Sequence, residues 1–287
     1  AVPVNAVLSV NFVNTHSTVI DLKAHGFNQV ITPAQPSVEK CKDAKDMPFV
    51  MNQAAYQQAN YRSFVPVQIE EIGFMRGYRL VTVSYTPVEY NPVNNTAKVY
   101  DKVRVEIGYE GADYAQTEYM RAKTYSPAFE STLAKSVLNY VAPNTRDTLT
   151  RYPMKYVIIA DPMFTAQLTP FIEWKTQQGY QVIVQYKGDA AVGSTKESIK
   201  AYLQGMWNAA TPTDPAPTYL LIVADHGQIP AWNAQASPSG HITDLTYVRL
   251  EGTDFLPELY YGRFSANNAS ELQPQIDKTL YYEKYQF

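Results

Sequence analysis

The hydrophobic pattern of this chain changes near residue 150, and this change limits the folds that it can adopt. Up to about residue 125, apolar and polar residues alternate, most clearly over residues 64–72, 78–85 and 97–107. Such alternation is typical of β-strands with one buried face. Residues 87–96 are rich in Asn and Pro, which favours a turn between the last two strands. The first half is therefore predicted to be an antiparallel β-sandwich or a similar body of packed sheets.

A helix and a linker separate the two patterns. Over residues 128–140, apolar side chains recur every three to four positions, which predicts one amphipathic helix that ends before Pro143. Residues 142–152 are polar and lack periodicity, as expected of an exposed linker. The predicted organisation is therefore a β-rich domain over residues 1–141, this linker, and a second domain over residues 153–287.

In the second half, predicted strands alternate with predicted helices. The strands fall at residues 154–160, 180–186, 219–224 and 259–264, and the helices are residues 164–178, a helix that Ser194 caps with Glu197, and one containing Leu272, Ile276 and Leu280. Short parallel strands joined by crossover helices form a right-handed, doubly wound α/β sheet. Because four or so strands are few for a whole α/β domain, this domain is expected to be incomplete. The fold class is thus α+β with two domains.

Composition excludes several classes of partner. The chain has 287 residues, is 45% hydrophobic and has a net charge of −3, with acids and bases interspersed. It contains no basic cluster that would indicate nucleic-acid binding, and no apolar run of the ~18 residues that a transmembrane segment needs. The first residues do not resemble an intact signal peptide, so any export signal is expected to be already removed.

Acidic residues lie on both sides of the predicted strands of the last third. Asp225 follows the buried strand 219–224, and Asp254 and Glu258 precede the strand 259–264. Open α/β sheets usually place their sites at the carboxyl ends of strands, and three such carboxylates could supply the oxygen ligands that Ca²⁺ prefers. The alternative is that these acids only solvate a loop or cap a helix. A weaker hypothesis is a metal-assisted hydrolase centred on Asp225 and His226.

The other reactive side chains give little indication of a site. Cys41 is the single cysteine, which cannot form an internal disulfide, and its surroundings predict a structural or incidental role. His241 lies in a predicted loop without a partner in the sequence, so it is interpreted as a surface histidine.

Four segments carry a resemblance to a known family. They are Arg76-Gly77-Tyr78-Arg79 and residues 89–100 in the first half, and residues 220–230 and 243–284 in the second. Together they make the whole chain resemble the gingipain family of secreted bacterial cysteine peptidases, in their precursor form. The resemblance implies a secreted or cell-surface protein with protein and peptide substrates and a caspase-like (flavodoxin-like) peptidase domain.

The resemblance also implies roles for particular residues. Residues 1 to about 150 would be a prodomain that keeps the peptidase latent, with the activation cleavage at Arg146 or Arg151. Family members hold a structural calcium ion, and the matching residues here are Asp225, Asp254 and Glu258, the carbonyl of Leu256, and Gly252 as a further candidate.

The catalytic residues of the family are not expected among these residues. In the family a His-Gly pair precedes the catalytic Cys, and no cysteine follows Cys41 in this chain. Because the chemistry needs a thiol activated by a neighbouring base, the chain is expected to be inactive by itself. The catalytic pair is expected beyond Phe287, in the remaining catalytic subdomain. His226-Gly227 imitates the catalytic His-Gly but is interpreted as an earlier, non-catalytic strand end.

A different class of function also fits the two patterns. The chain could be a non-catalytic cell-surface module, with the β-rich half used for adhesion and the α/β half binding a ligand at its strand ends. The precursor hypothesis predicts that the encoded protein continues with a His-Gly and a later Cys, whereas the module predicts that it stops near Phe287.

Overall fold

The computed structural model describes residues 1–61, 67–142, 152–234 and 240–285. The chain divides into two compact units. The larger unit contains Ala1–Ala6, Glu71–Val81 and Gly111–Phe287, and the smaller unit contains Val7–Glu70 and Thr82–Glu110. The units therefore do not follow the predicted boundary at residues 142–152, because parts of the first half pack with the whole of the second half.

The first half contains antiparallel strands, as its alternating pattern predicts. The strands are β1 (Val7–Asp21), β2 (Val67–Met75), β3 (Tyr78–Tyr85), β4 (Val88–Asn91) and β5 (Thr96–Glu110), with a one-turn helix α1 (Gln53–Tyr56) between β1 and β2. In the smaller unit, β1, β5 and β4 form a sheet in that order, and β1 pairs with β5 along its whole length. The strands β2 and β3 pair with each other. The packing of two sheets as a sandwich stays a prediction.

The turn over residues 87–96 differs from its prediction. It was expected to join β3 to β5, but it contains β4, which pairs with β5 from Val88 beside Val99 to Asn91 beside Thr96. Asn95 has φ 53 in the tight connection that follows. The Asn-rich segment therefore makes a hairpin of its own, because Asn tolerates this left-handed conformation.

The helix predicted over residues 128–140 is present but shorter, and a second helix that was not predicted precedes it. In chain order they are α2 (Tyr114–Lys123) and α3 (Pro127–Ser136). The helix α3 ends at Ser136 because Val137 is extended, with φ −110 and ψ 108, and Leu138 is fully exposed. The helix α2 has no apolar stripe, since its buried residues are Thr117 and Met120.

The second half is a parallel α/β sheet, as predicted. Its strands are β6 (Lys155–Ala160), β7 (Gln181–Tyr186), β8 (Tyr219–Val223), the short pair β9 (Trp232–Asn233) and β10 (Ile242–Thr243), and β11 (Tyr260–Phe264). Its helices are α4 (Thr165–Gln177), α5 (Lys196–Ala209), α6 (Leu245–Val248) and α7 (Ala269–Glu283). The main sheet has the order β11-β8-β6-β7, with every neighbouring pair parallel. Its central strands are fully buried at Ile158, Ile159 and Ile222.

The helix α5 begins one residue later than predicted. Thr195, not Ser194, is its N-cap, and the side chains of Thr195 and Ser198 bond each other's backbone amides. The capping box therefore pairs Thr195 with Ser198 instead of Ser194 with Glu197. Among the described residues, none of the helices combines the length and apolar composition that a membrane span requires.

The register of β8 and β11 fixes the two edges of the parallel sheet. Tyr260 lies beside Tyr219 at the start of both strands, and Phe264 lies beside Val223 at their ends. Residues just before these strands therefore lie at the amino edge of the sheet. Residues just after them, including Asp225, lie at the carboxyl edge.

Candidate functional site

The tip of the β2–β3 hairpin is built around two residues in the left-handed region. Arg76 has φ 51 and Gly77 has φ 74, and positive φ at both positions of a two-residue turn corresponds to type I′. A Cβ on Gly77 would lie 2.7 Å from the backbone of Met120, so that position requires glycine. Arg76 carries a side chain, and the left-handed conformation of a non-glycine residue costs roughly 1–2 kcal/mol of conformational energy.

The side chain of Arg76 is buried in the larger unit, with only 2% of its surface exposed. Its Nη1 donates to the carbonyl oxygens of Pro217 at 2.7 Å and Glu258 at 3.0 Å. Its Nη2 donates to the carbonyl of Tyr125 at 3.4 Å. Pro217 and Glu258 precede β8 and β11, so the guanidinium spans the amino ends of two neighbouring parallel strands.

Two aromatic rings complete the enclosure. The guanidinium carbon of Arg76 lies 5.2 Å from the ring centroid of Phe129 and 5.4 Å from that of Trp207. Distances of this size allow cation–π attraction to both rings. We call these two rings, together with the carbonyls of Tyr125, Pro217 and Glu258, the Arg76 socket.

Main-chain amides of the same hairpin bind two carboxylates next to the socket. Phe74 N–H donates to Asp254 Oδ2 at 2.9 Å, and Arg76 N–H donates to Glu258 Oε2 at 2.6 Å. Asp254 Oδ1 also accepts the amide of Leu256 at 2.7 Å. Phe74 lies near the end of β2 and Arg76 in the turn that follows, so the end of the hairpin supplies both donors.

Glu258 is the most buried acid of this cluster. It has no exposed surface, and its Oε1 has no hydrogen-bond partner in the part of the chain that is described. Burial raises the pKa of the Glu258 carboxyl well above the usual range, and the charges of Glu251 and Asp254 raise this pKa further. The amide and the charge of Arg76 lower it in part. Burial also lowers the pKa of the Arg76 guanidinium, which the charge of Glu258 opposes. The two buried charges therefore stabilise each other's ionised form.

Other charged groups surround this cluster. Trp207 Nε1 donates to Glu251 Oε2 at 2.8 Å, which joins the socket to a second acid. Lys200 donates to the carbonyl of Arg249. Burial and the charge of Arg249 lower the pKa of Lys200 to about 8, although the charge of Glu258 raises it. The acids are therefore balanced by cations from more than one element.

The helices α2 and α3 also contact the amino edge of the sheet. The ring of Phe129 stacks on Tyr260 with centroids 4.2 Å apart, and Thr132 Oγ1 lies 2.9 Å from the Tyr260 hydroxyl. The hydroxyl of Thr218 donates to Ser126 Oγ at 2.9 Å. The socket is thus one part of a continuous contact at the starts of β8 and β11.

The carboxyl edge holds a separate polar group. Asp225 accepts a hydrogen bond from Ser265 Oγ at 2.6 Å and lies 3.2 Å from His226 Nδ1. These contacts, with the hydrogen bond from Ser265 foremost, lower the pKa of Asp225. His226 is exposed. Within residues 1–61, 67–142, 152–234 and 240–285, no three His, Cys, Asp or Glu side chains are grouped so that they could hold a metal ion.

Asp225 therefore does not join the other predicted metal ligands. Glu258 lies beside Pro217 at the amino edge, whereas Asp225 follows the carboxyl end of β8. The strand β8, of 5 residues, lies between Pro217 and Asp225, and a strand of this length spans roughly 16 Å. The prediction grouped these acids because each lies next to a strand, but Asp254 and Glu258 come before their strand and Asp225 comes after its own.

The remaining predicted ligands are close together. A Cβ on Gly252, which has φ 63, would lie 3.0 Å from Asp254 Oδ2, and Leu256 bonds the same carboxylate through its amide. Gly252, Asp254, Leu256 and Glu258 thus belong to one loop. The unpartnered, buried Oε1 of Glu258 fits a cation, because a buried carboxylate oxygen needs a compensating group.

The other candidate residues lie apart from this site. Cys41 is exposed and its thiol is 3.7 Å from Glu39 Oε2. His241 is exposed. Arg146 and Arg151, the predicted activation residues, lie outside the described residues. The sequence marks Arg76 as part of a family motif. A further signal is the Arg-Gly turn between two alternating segments, because such turns prefer Asn-Gly.

Comparisons with known proteins identify both halves of the chain. Residues 6–138 match the profile of the C25 propeptide, and residues 149–287 match peptidase family C25. Lys-gingipain of Porphyromonas gingivalis is 34% identical over 284 residues, which are 99% of this chain and 16% of that protein. Gingipain R2 of Porphyromonas gingivalis is 26% identical over 259 residues, which are 89% of this chain and 34% of that protein.

Among solved structures, one described as giving insight into the zymogenic latency of gingipain K is similar to part of the chain. It has 35% sequence identity and a TM-score of 0.35, and the match covers 39% of this chain and 61% of that one. This chain spans a small part of the length of the curated relatives. The two profiles nevertheless account for nearly all of its residues, so the chain belongs to peptidase family C25, as a C25 propeptide joined to part of the family's peptidase domain.

Proposed function

We propose that this chain is the propeptide-bearing portion of a secreted cysteine endopeptidase zymogen. The observation that carries the proposal is the burial of Arg76, a propeptide residue, against Trp207, Pro217 and Glu258 of the peptidase segment. A propeptide that buries a charged side chain in its own peptidase is held as a folded partner and not as a loose leader. Because both halves match one precursor family, a cell-surface adhesion module is not favoured.

The chemistry of the whole enzyme requires residues other than these. Thiol catalysis needs a nucleophilic cysteine activated by a base. Cys41 is exposed and belongs to the propeptide segment, and its thiol donates a hydrogen bond to Glu39. The catalytic pair would be supplied by the rest of the peptidase domain. Protein and peptide substrates and secretion are proposed from the family and its Porphyromonas relatives.

The position of the propeptide contact gives it a specific role. The hairpin tip and α3 bind the amino edge of the sheet, whereas sites in open α/β sheets lie at the carboxyl edge. This contact therefore acts as an anchor that keeps the propeptide at high effective concentration on the peptidase. Latency would end when the connection over residues 142–152 is cut and the anchored propeptide can leave.

We also propose that a calcium ion binds the loop Gly252 to Glu258. Asp254, Glu258 and the carbonyl of Leu256 would hold it, with Gly252 allowing the close approach of the backbone. The ion would supply positive charge that pins the loop, and would activate no water. Ca²⁺ should raise the unfolding midpoint of the chain by mass action, Glu258→Gln should abolish the rise, and Asp225→Asn should preserve it. An equal rise in the Glu258→Gln variant would contradict the proposed ligands.

The proposed zymogen function is tested with the longer precursor that contains this chain. Hydrolysis of a peptide substrate should be low before cleavage within residues 142–152 and should rise after the cut propeptide dissociates. The 287-residue chain alone should hydrolyse no peptide. Sustained hydrolysis by the purified chain, or full activity of the uncut precursor, would refute the proposal.

A further inference from the structure

We infer that Arg76 is the residue that locks the propeptide to the peptidase segment, and that the Arg76 socket selects a guanidinium group presented by a type I′ hairpin turn. The inference deepens the proposed function, since it assumes that residues 71–81 act as a propeptide bound to its peptidase. It assigns recognition to one side chain at the amino edge of the sheet.

The backbone at Arg76 shows that this arginine is not chosen for its turn. A type I′ turn prefers Asn-Gly, because asparagine tolerates positive φ far better than a long side chain does. Arginine at φ 51 therefore contradicts the local preference. Side chains that break such a preference and are also fully enclosed are expected where they perform a recognition task.

The socket binds two of the three guanidinium nitrogens of Arg76, whereas its Nε has no hydrogen-bond partner among the described residues. Its carbonyl acceptors come from two strand starts and from Tyr125, and they are reached by two different nitrogens of one planar group. The rings of Phe129 and Trp207 lie within cation–π distance of the same group. A lysine ammonium is a compact point charge, so it cannot reach the separate acceptors and contact both rings at once.

Charge provides the second selection. Glu258 is fully buried, and its carboxylate receives the Arg76 amide while the guanidinium of the same residue bonds the Glu258 carbonyl. The charge of the guanidinium lowers the pKa of this acid, and removing it would also leave the carbonyl oxygens of Pro217 and Glu258 without that donor. The socket therefore disfavours both a neutral turn residue and a cation of a different shape.

Four substitutions in the full chain separate these contributions by thermal unfolding of the larger unit. Arg76→Ala and Arg76→Asn should each lower the midpoint by roughly 10 °C. Arg76→Lys should lower it by at least half as much. The control is the same exchange at an exposed arginine, Arg104→Lys on β5, where the side chain is 71% exposed and makes a 2.8 Å ion pair with Glu106 that lysine can retain, so the midpoint should change little.

Chemical rescue tests the socket directly. Millimolar ethylguanidinium should raise the midpoint of Arg76→Ala by several degrees while leaving the wild-type chain unchanged, and ethylammonium at the same concentration should have no effect. If Arg76→Ala does not fold, the comparison of Arg76→Lys with Arg104→Lys decides.

Three outcomes would overturn the inference. They are an Arg76→Asn chain as stable as the wild type, an Arg76→Lys loss no greater than the Arg104→Lys loss, and a folded Arg76→Ala chain that ethylguanidinium does not stabilise. None of these measures hydrolysis, so failure of the socket is distinguishable from failure of the proposed zymogen function.

Discussion

Replacing Gly73 by alanine tests whether the hairpin and the acidic loop of the larger unit fit as closely as the contacts indicate. Gly73 has φ +139, and a Cβ there would lie 2.2 Å from both Cγ and Oδ2 of Asp254. No real contact is that short, so the Asp254 carboxylate has to move. The movement breaks the 2.9 Å hydrogen bond from Phe74 N–H to Asp254 Oδ2.

The cost of Gly73→Ala has two parts. Forcing alanine into this backbone region costs about 1–2 kcal/mol. Losing a hydrogen bond to a charged acceptor costs about 1.5–3 kcal/mol. The free energy of unfolding should therefore fall by about 2.5–5 kcal/mol, which is a large fraction of the stability of an ordinary domain.

Urea unfolding of the chain measures this loss, with Gly179→Ala as the control. Gly179 has φ +90 and nothing lies within 4 Å of its would-be Cβ, so only the backbone part, about 1–2 kcal/mol, applies there. The Cβ of Asp254 would also lie 2.4 Å from the added Cβ, so the extra cost of Gly73→Ala should disappear in an Asp254→Gly background, which removes all three clashing atoms. Equal losses for Gly73→Ala and Gly179→Ala would refute the close contact with Asp254.

Three further outcomes follow from the same unit. Burial raises the pKa of Glu258, so the folded chain binds a proton at this carboxyl more readily than the unfolded chain does. The free energy of unfolding should therefore fall as the pH rises from 4.5 toward neutrality. In urea titrations with a chelator present, Glu258→Gln should flatten this fall. The pKa of Lys200 is lowered to about 8 in the folded chain, so above that pH the unfolded chain binds more protons than the folded chain does. The free energy of unfolding should therefore rise between pH 8 and 10.5, and Lys200→Met should remove this rise. Thr195→Ala should cost about 1 kcal/mol of unfolding free energy through the lost cap, whereas Ser194→Ala should cost at most a few tenths, and equal losses would contradict the capping geometry.

Local patterns were sufficient to predict the parallel sheet. The strands β6, β7, β8 and β11 are continuous runs that alternate with helical segments, so their type follows from neighbouring residues alone. The helix α2 was missed for the same reason, because it buries only Thr117 and Met120 and shows no apolar stripe. Propensity and periodicity therefore indicate elements that bury one whole face, and miss those whose packing depends on a distant partner.

The error over Asp225 had a different origin and could have been avoided. Once two strands are predicted to be parallel, a residue before one strand and a residue after the other must lie at opposite edges of the sheet. Glu258 precedes β11 and Asp225 follows β8, so the predicted strands already separated them. The family resemblance supplied a ligand set that the predicted topology did not support for Asp225.

The Arg76 socket could not be predicted from local pattern. The amide of Arg76 and its carboxylate acceptor Glu258 are 182 residues apart in the chain. An arginine in a polar turn between two alternating segments normally lies in solvent, and nothing near it in the sequence indicates burial. Only the positive φ that the turn demands, which arginine tolerates poorly, points to a purpose for the side chain.

The location of the socket separates two requirements that a propeptide must meet. In the proposed function, the propeptide stays bound until the connection to the peptidase is cut and leaves afterwards. An anchor at the amino edge can be tight without contacting the carboxyl edge, where open α/β sheets place their sites. Its strength depends on the hydrogen bonds that the amide and the guanidinium of Arg76 make to Glu258 and Pro217. One residue makes all of these bonds, so withdrawal of the tip breaks them together, and release of the tip should be abrupt and not gradual.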